Sequence, residues 1–172
     1  TAFEDTPTAQ NQMRLAAALL EVGESQEAAT LYARCLQGPF ANDPEIRLGA
    51  ARAFEAAQRP ADALTHLEVV KAQRPDYRTD TVALVEARCL AALGRRAEAR
   101  SAFEAAERRH GTWETKAEFA IFAWATGDTA TAERLDEELR KIAARWNRLT
   151  RELNEGTLHR LDAARTLARR GA

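Results

Sequence analysis

Proline, glycine and aromatic residues are scarce in this sequence: five prolines, eight glycines, and aromatics at only 6%. Sheet proteins draw their strands from aromatic and β-branched residues and their turns from glycine and proline, so the shortage argues against a β-rich fold. Hydrophobic residues nevertheless make up 45% of the chain, and alanine and leucine carry that share. Apolar side chains that are small or not branched at Cβ suit closely packed helices, and the 172 residues are enough for one domain with a substantial core. No apolar run approaches the roughly 20 residues that span a bilayer, and the opening residues do not read as a signal peptide. The two cysteines, Cys35 and Cys89, stand far apart in alanine-rich stretches without CxxC or Cys/His ligand spacing. They read as small buried thiols in a reducing compartment, with a disulfide between them as the alternative.

An excess of charge of one sign is also missing. Twenty-five basic residues face 26 acidic ones, for a net charge of −1. No global field draws this chain to nucleic acid, although helical repeats of this length can read RNA. The balance is uneven along the chain, with ten basic against six acidic residues from Arg134 onward, and fifteen against twenty before it. A basic tail of this kind reads first as a solvated helix face, and second as a surface for acidic lipid or an acidic partner. Phosphate-binding, dinucleotide-binding, zinc-protease and nucleophile-elbow motifs are all absent. His66, His110 and His159 lie in separate segments without a ligand partner; His66 reads as a surface residue and His110 as a cation suited to a helix C-terminus. The acidic pairs Glu137-Glu138 and Asp43/Glu45 read as solvated faces and helix starts rather than acid–base machinery. These absences predict a chain that is not an enzyme and has no cofactor and no metal.

What the sequence has is a module repeated four times. Gly23, Gly94 and Gly127 each end an apolar-periodic segment, and Ala28, Ala99 and Ala132 follow five residues later; Gln58 and Ala63 take these places in the second copy. The alanines are thus 35, 36 and 33 residues apart. Glycine ends a first helix readily, and alanine allows two antiparallel backbones to approach closely. Four residues after each alanine, one helical turn along the same face, stand Tyr32, Leu67 and Phe103, with Asp136 in the fourth copy between Leu135 and Leu139. The periodicity predicts helices over 9–22, 25–37, 44–57, 60–73, 80–93, 96–110, 113–126, 129–153 and 157–170. Asn42 or Asp43 is the expected cap of the third, with Pro44 in its first turn. Residues 1–9 read as a leader or linker.

The pairs Ala28/Tyr32, Ala63/Leu67 and Ala99/Phe103, with Pro75 twelve residues after Ala63, resemble the tetratricopeptide repeat over Gln10 to Leu139. The family's first-helix tryptophan is missing, and Ala16, Ala51, Ala87 and Ala120 fill its early glycine slot. The resemblance implies a right-handed α-α superhelix, a solenoid of four hairpins over 10–43, 44–78, 79–111 and 112–140, with a C-terminal capping helix region over 141–172. The loop 38–44 and Pro75-Asp76-Tyr77-Arg78 are similar to those of bacterial repeat proteins with an N-terminal membrane segment. A cytoplasmic domain tethered to the inner membrane is implied by that likeness, with the segment lying before Thr1.

Within 141–172, Trp146, Leu149 and Leu153 form one apolar stripe and Leu158, Leu161, Ala164 and Leu167 another, separated by a break at Asn154-Glu155-Gly156. The region reads as a cap for the open end of the solenoid, the alternative being a helix for a membrane surface or a partner. Function then falls to a surface. The resemblance places Met13 and Ala17, then Leu48, Arg52 and Glu55, then Leu84 and Arg88, then Ile121 and Trp124 along the concave groove. Such a groove would hold a peptide or protein segment, with the apolar side chains supplying contact area and Arg52 and Arg88 orienting an acidic group. The alternative at those arginines is pairing with Glu55 or neighbouring acids. The expectation is a non-catalytic scaffold or adaptor with a protein or peptide partner. The alternative is an accessory domain of a larger membrane-anchored protein or enzyme whose active part lies outside this stretch, and self-association is open to it. The lysine–asparagine carboxylate clamp of chaperone-binding relatives has no counterpart at these positions.

Overall fold

A computed structural model describes residues 8–171, so most of the expected leader lies outside the described residues. Every regular element among them is helical. The chain divides into two compact units, residues 1–95 and 96–172, with the boundary just after Arg95, inside the stretch expected as the third hairpin.

The first unit contains α1 (Ala9–Glu21), α2 (Ser25–Cys35), α3 (Pro44–Ala56), α4 (Pro60–Gln73) and α5 (Thr79–Ala92). Helices α1 and α2 pack as a hairpin, as do α3 and α4; α3 rests on α2, and α5 on α4. Their starts follow from local chemistry. Thr8 caps α1 through Asn11 N, and Asp43 caps α3 through Ile46 N, with Pro44 at the first helical position, where a missing N–H costs nothing. Gly23 ends the first hairpin helix with φ +89°, while Gln58 takes the same left-handed conformation at φ +60°. A short 3₁₀ turn, Gly38–Phe40, lies in the loop before α3.

The second unit contains α6 (Arg96–His110), α7 (Trp113–Thr126), α8 (Thr129–Ala143), α9 (Arg148–Leu153) and α10 (Glu155–Arg170). Here α7 and α8 form the hairpin, α6 packs on α7, and α10 lies along α7 as well. The single helix expected over 129–153 is two. Helix α8 ends at Ala143, the chain turns through Trp146, and Asn147 caps α9 by accepting from Thr150 N at 2.8 Å. Trp146 turns inward onto Trp113, edge to face at 4.7 Å between centroids.

The alanine pattern has a direct structural outcome. Ala28, Ala63, Ala99 and Ala132, and likewise Ala16, Ala51, Ala87 and Ala120, are all fully buried. These are the contact points where helices approach too closely for a larger side chain. Tyr32, Leu67 and Phe103 are also buried, and Phe103 packs against Phe119 and Phe122 of α7 at 5.8 and 5.1 Å. At Gly49 in α3 even a Cβ would lie 2.5 Å from the Tyr32 ring, so glycine is what lets that ring sit between α2 and α3. Cys35 and Cys89 are both buried free thiols, which sets aside the disulfide. Burial pushes the Cys89 thiol up to about 12, so it stays protonated.

Candidate interaction surfaces

In the first unit the first helices α1, α3 and α5 lie side by side, and they carry seven of the expected site residues, Ala17 among them. Met13 on α1 is half-buried. Leu48 on α3 and Leu84 on α5 are 2% and 3% exposed. Contrary to expectation, the two leucines offer no area to a partner: they are part of the interior and support the surface from beneath. Arg52 and Arg88 are not an equivalent pair either. Arg88 Nε and Nη2 donate to Glu55 Oε1 and Oε2 at 2.5 and 3.1 Å, a two-pronged bridge joining α5 to α3. Arg52, three residues before Glu55 on the same helical face, is exposed and makes no hydrogen bond or ion pair among the described residues. The alternative weighed for the arginines therefore applies to Arg88 and not to Arg52.

His66 is a second correction. Its ring is half-buried and stacks on Phe54 at 5.2 Å, and Arg47 Nη1 lies 2.9 Å from its Nδ1. A guanidinium can only donate, so Nδ1 accepts and the neutral ring carries its proton on Nε2. Burial, reinforced by the Arg47 charge, holds this imidazole below its ordinary value.

The other two expected residues, Ile121 and Trp124, lie on α7 in the second unit. Ile121 is half-buried. Trp124 is 5% exposed, with its indole Nε1 donating to Asp136 Oδ2 at 3.2 Å and Arg169 of α10 over its ring at 5.8 Å. It too is covered instead of open. Asp136, at the position where the other copies carry Tyr32, Leu67 or Phe103, accepts on Oδ2 from both Trp124 Nε1 and Arg165 Nε, the latter at 2.8 Å. Glu118 on α7 is 4% exposed and is bridged by Arg160 of α10. Neither carboxylate was singled out from the sequence. The acid and its arginine are 29 and 42 residues apart, and only an odd charge within a hydrophobic pattern hinted at Asp136.

A further ion network ties α6, α7 and α8 together. Lys116 meets Glu107 and Glu138 at 3.1 and 2.5 Å, and Arg134 meets the same two at 3.0 and 2.9 Å. Bonds from Arg134, chiefly, to Glu107, and from Lys116, chiefly, to Glu138 hold both carboxyls below their usual range. Glu138 therefore belongs to a structural network, while Glu137 pairs with Arg140 and Lys141 of its own helix. Among the described residues no three His, Cys, Asp or Glu side chains are grouped to hold a metal ion. No helix among them is long and apolar enough to cross a membrane.

Comparison with known proteins bears on the fold. Residues 19–81 match the tetratricopeptide repeat. The structure of the MamA RS-1 ArsTM double mutant superposes with a TM-score of 0.69 at 14% identity, covering 83% of this chain and 79% of that one. A thermophilic tetratricopeptide repeat protein of Thermus thermophilus, TTC0263, superposes with a TM-score of 0.57 at 18% identity, covering 91% of this chain and 98% of that one. At such identities the likeness is one of fold. No curated protein matches the sequence.

Proposed function

Because this chain carries tetratricopeptide repeats, a fold that generally mediates protein–protein contact, we propose that it is a non-catalytic scaffold that binds a segment of another protein on its first-helix faces. The observation that carries this reading is Arg52. It stands exposed without a counter-ion, next along α3 from a Glu55–Arg88 bridge that fixes α3 against α5. A guanidinium on a rigid helical face, over buried Leu48 and Leu84, is preorganised to receive a carboxylate through charge-assisted hydrogen bonds. The Glu55–Arg88 bridge keeps that face from collapsing onto Arg52, since Glu55 is already engaged. The partner segment is therefore one that presents an acidic side chain or terminus to Arg52.

Site-specific photo-crosslinking tests this. A photoreactive residue at Ala56, on the exposed side of α3, is compared with one at Glu68, on the exposed side of α4. The expected result is a partner captured from position 56 and not from 68, with capture lost in Arg52→Glu. That substitution falls on an exposed side chain that makes no hydrogen bond or ion pair among the described residues, so stability should stay within about 0.5 kcal/mol of the parent. Capture from position 68 alone, or capture indifferent to Arg52→Glu, would remove the α3 face as the site. Arg88→Glu is unsuitable for the purpose, because it would set two carboxylates against each other at a half-buried position.

A further inference from the structure

The surface of the second unit beneath α10 buries charges that packing alone does not require. Glu118 of α7 receives Arg160 Nη1 and Nη2 at 2.8 and 3.0 Å. Asp136 of α8 receives Arg165 Nε at 2.8 Å, and its other oxygen, Oδ1, is buried with no partner. Arg169 lies over the Trp124 ring. Three arginines of one helix thus meet two carboxylates and an indole. The apolar part of the contact is thin by comparison. Leu161 is the one buried residue of α10, Leu158 and Ala164 are half-buried, and Leu167 is 74% exposed.

The placement of α10 is also unlike that of the helices that open the earlier repeats. Helix α3 packs on α2, and α7 on α6, each on the second helix of the preceding module; α10 instead lies chiefly along the first helix α7. Residue order in the contacts, 118 with 160 and 124 with 169, shows the two helices running parallel. Between α8 and α10 an open cleft of about 720 Å³ remains, floored by Leu139 and Leu161. Helix α10 therefore lies against the face of α7 that carries Glu118 and Trp124 rather than continuing the stack.

We propose that the α7–α8 face is a receptor for a basic amphipathic helix of a partner protein, and that α10 is its intramolecular occupant, displaced when the partner helix binds. The partner helix presents arginines on both flanks of a narrow seam of leucine and alanine, as Arg160, Leu161, Ala164, Arg165 and Arg169 do. The physical reason is exchange of like for like. A buried carboxylate such as Asp136, parted from Arg165 and with Oδ1 already unpartnered, is strongly destabilising, so an empty site is disfavoured and a neutral or acidic helix is a poor replacement for α10. A second cationic helix can, because it restores both bridges as it enters. The inference rests on the reading of first-helix faces as recognition surfaces, but on a different helix and on the opposite charge preference from Arg52.

The test uses the full chain and a synthetic peptide of residues 155–170. Fluorescence anisotropy of labelled peptide is measured against the parent chain and against Arg160→Gln/Arg165→Gln, in which the resident helix is weakened. The variant should bind the peptide at least about tenfold more tightly than the parent, a difference of about 1.4 kcal/mol. A peptide carrying the same two glutamines should bind neither. Hydrogen exchange on the unaltered parent is the second measurement and does not depend on the variant folding. Excess peptide, or raised salt, should speed exchange in 155–170 about tenfold while 113–143 stays protected. The proposal is overturned if 155–170 and 113–143 exchange together as one cooperative block, or if the peptide binds neither form. Arg52→Glu should leave peptide binding unchanged, so failure here and failure of the α3 reading are seen separately.

Discussion

At Gln58 the chain asks a side chain to do what glycine does at Gly23, Gly94 and Gly127: end a helix with positive φ. The left-handed conformation costs a residue with a Cβ about 1–2 kcal/mol, part of which glycine would return in unfolded-state entropy. Gln58→Gly is therefore expected to raise stability by about 0.5–1 kcal/mol, measured by urea unfolding with an unchanged m-value. His66 sets a pH dependence by itself. Its pKa is lowered in the folded state, so below the ordinary imidazole value of 6.5 the unfolded chain takes up a proton the folded one refuses. Stability contributed here is complete above pH 6.5 and is lost as the pH falls from there through the lowered folded value. His66→Gln, which keeps an acceptor for Arg47, should flatten the stability profile below about pH 6.5. An unchanged slope in that variant would place the acid sensitivity elsewhere.

Among the helices, packing at Gly49 makes the sharpest claim. Gly49→Ala places a methyl against the buried Tyr32 ring and should cost about 1–3 kcal/mol in thermal or denaturant unfolding, since the ring has little room to retreat between α2 and α3. Most helix limits were legible in the sequence, because the signals that set them are local. Gly23 and Gly127, Pro44 and Pro60, and the Asp43 cap each act within one turn of their own position. The α8–α9 break was not legible. Trp146, Leu149 and Leu153 keep helical spacing, yet the leucines are 63% and 78% exposed and Trp146 leaves the helix for Trp113. Periodicity records which side chains share a face, and it is silent about what covers that face. The same limit explains the candidate site: Leu48, Leu84 and Trp124 stand at positions spaced by the repeat, and their burial depends on neighbours distant in sequence. Glu118 and Asp136 were missed because their arginines come from α10, through contacts spanning 42 and 29 residues.

For the molecule as a whole, the division after Arg95 makes a prediction about cooperativity. Each unit has its own buried set: Tyr32, Phe54, Leu67 and Val70 with their alanines in the first, and Phe103, Phe119, Leu135 and Leu139 in the second. In helical repeats stability is close to a sum of local terms and nearest-neighbour contacts, so damage should stay near where it is made. Leu67→Ala, in a fully packed position, is expected to lower amide protection of α1–α4 by about 2–5 kcal/mol and that of α7–α8 by much less. Phe103→Ala should do the reverse, at about 3–5 kcal/mol in α6–α8. Native-state hydrogen exchange read by mass spectrometry separates the two cases. Equal loss of protection throughout the chain from either substitution would mean a single cooperative block. Unequal loss would let a partner binding at one unit alter the local opening of that unit while leaving the other closed, which is the physical condition for one scaffold to present two independently occupied faces.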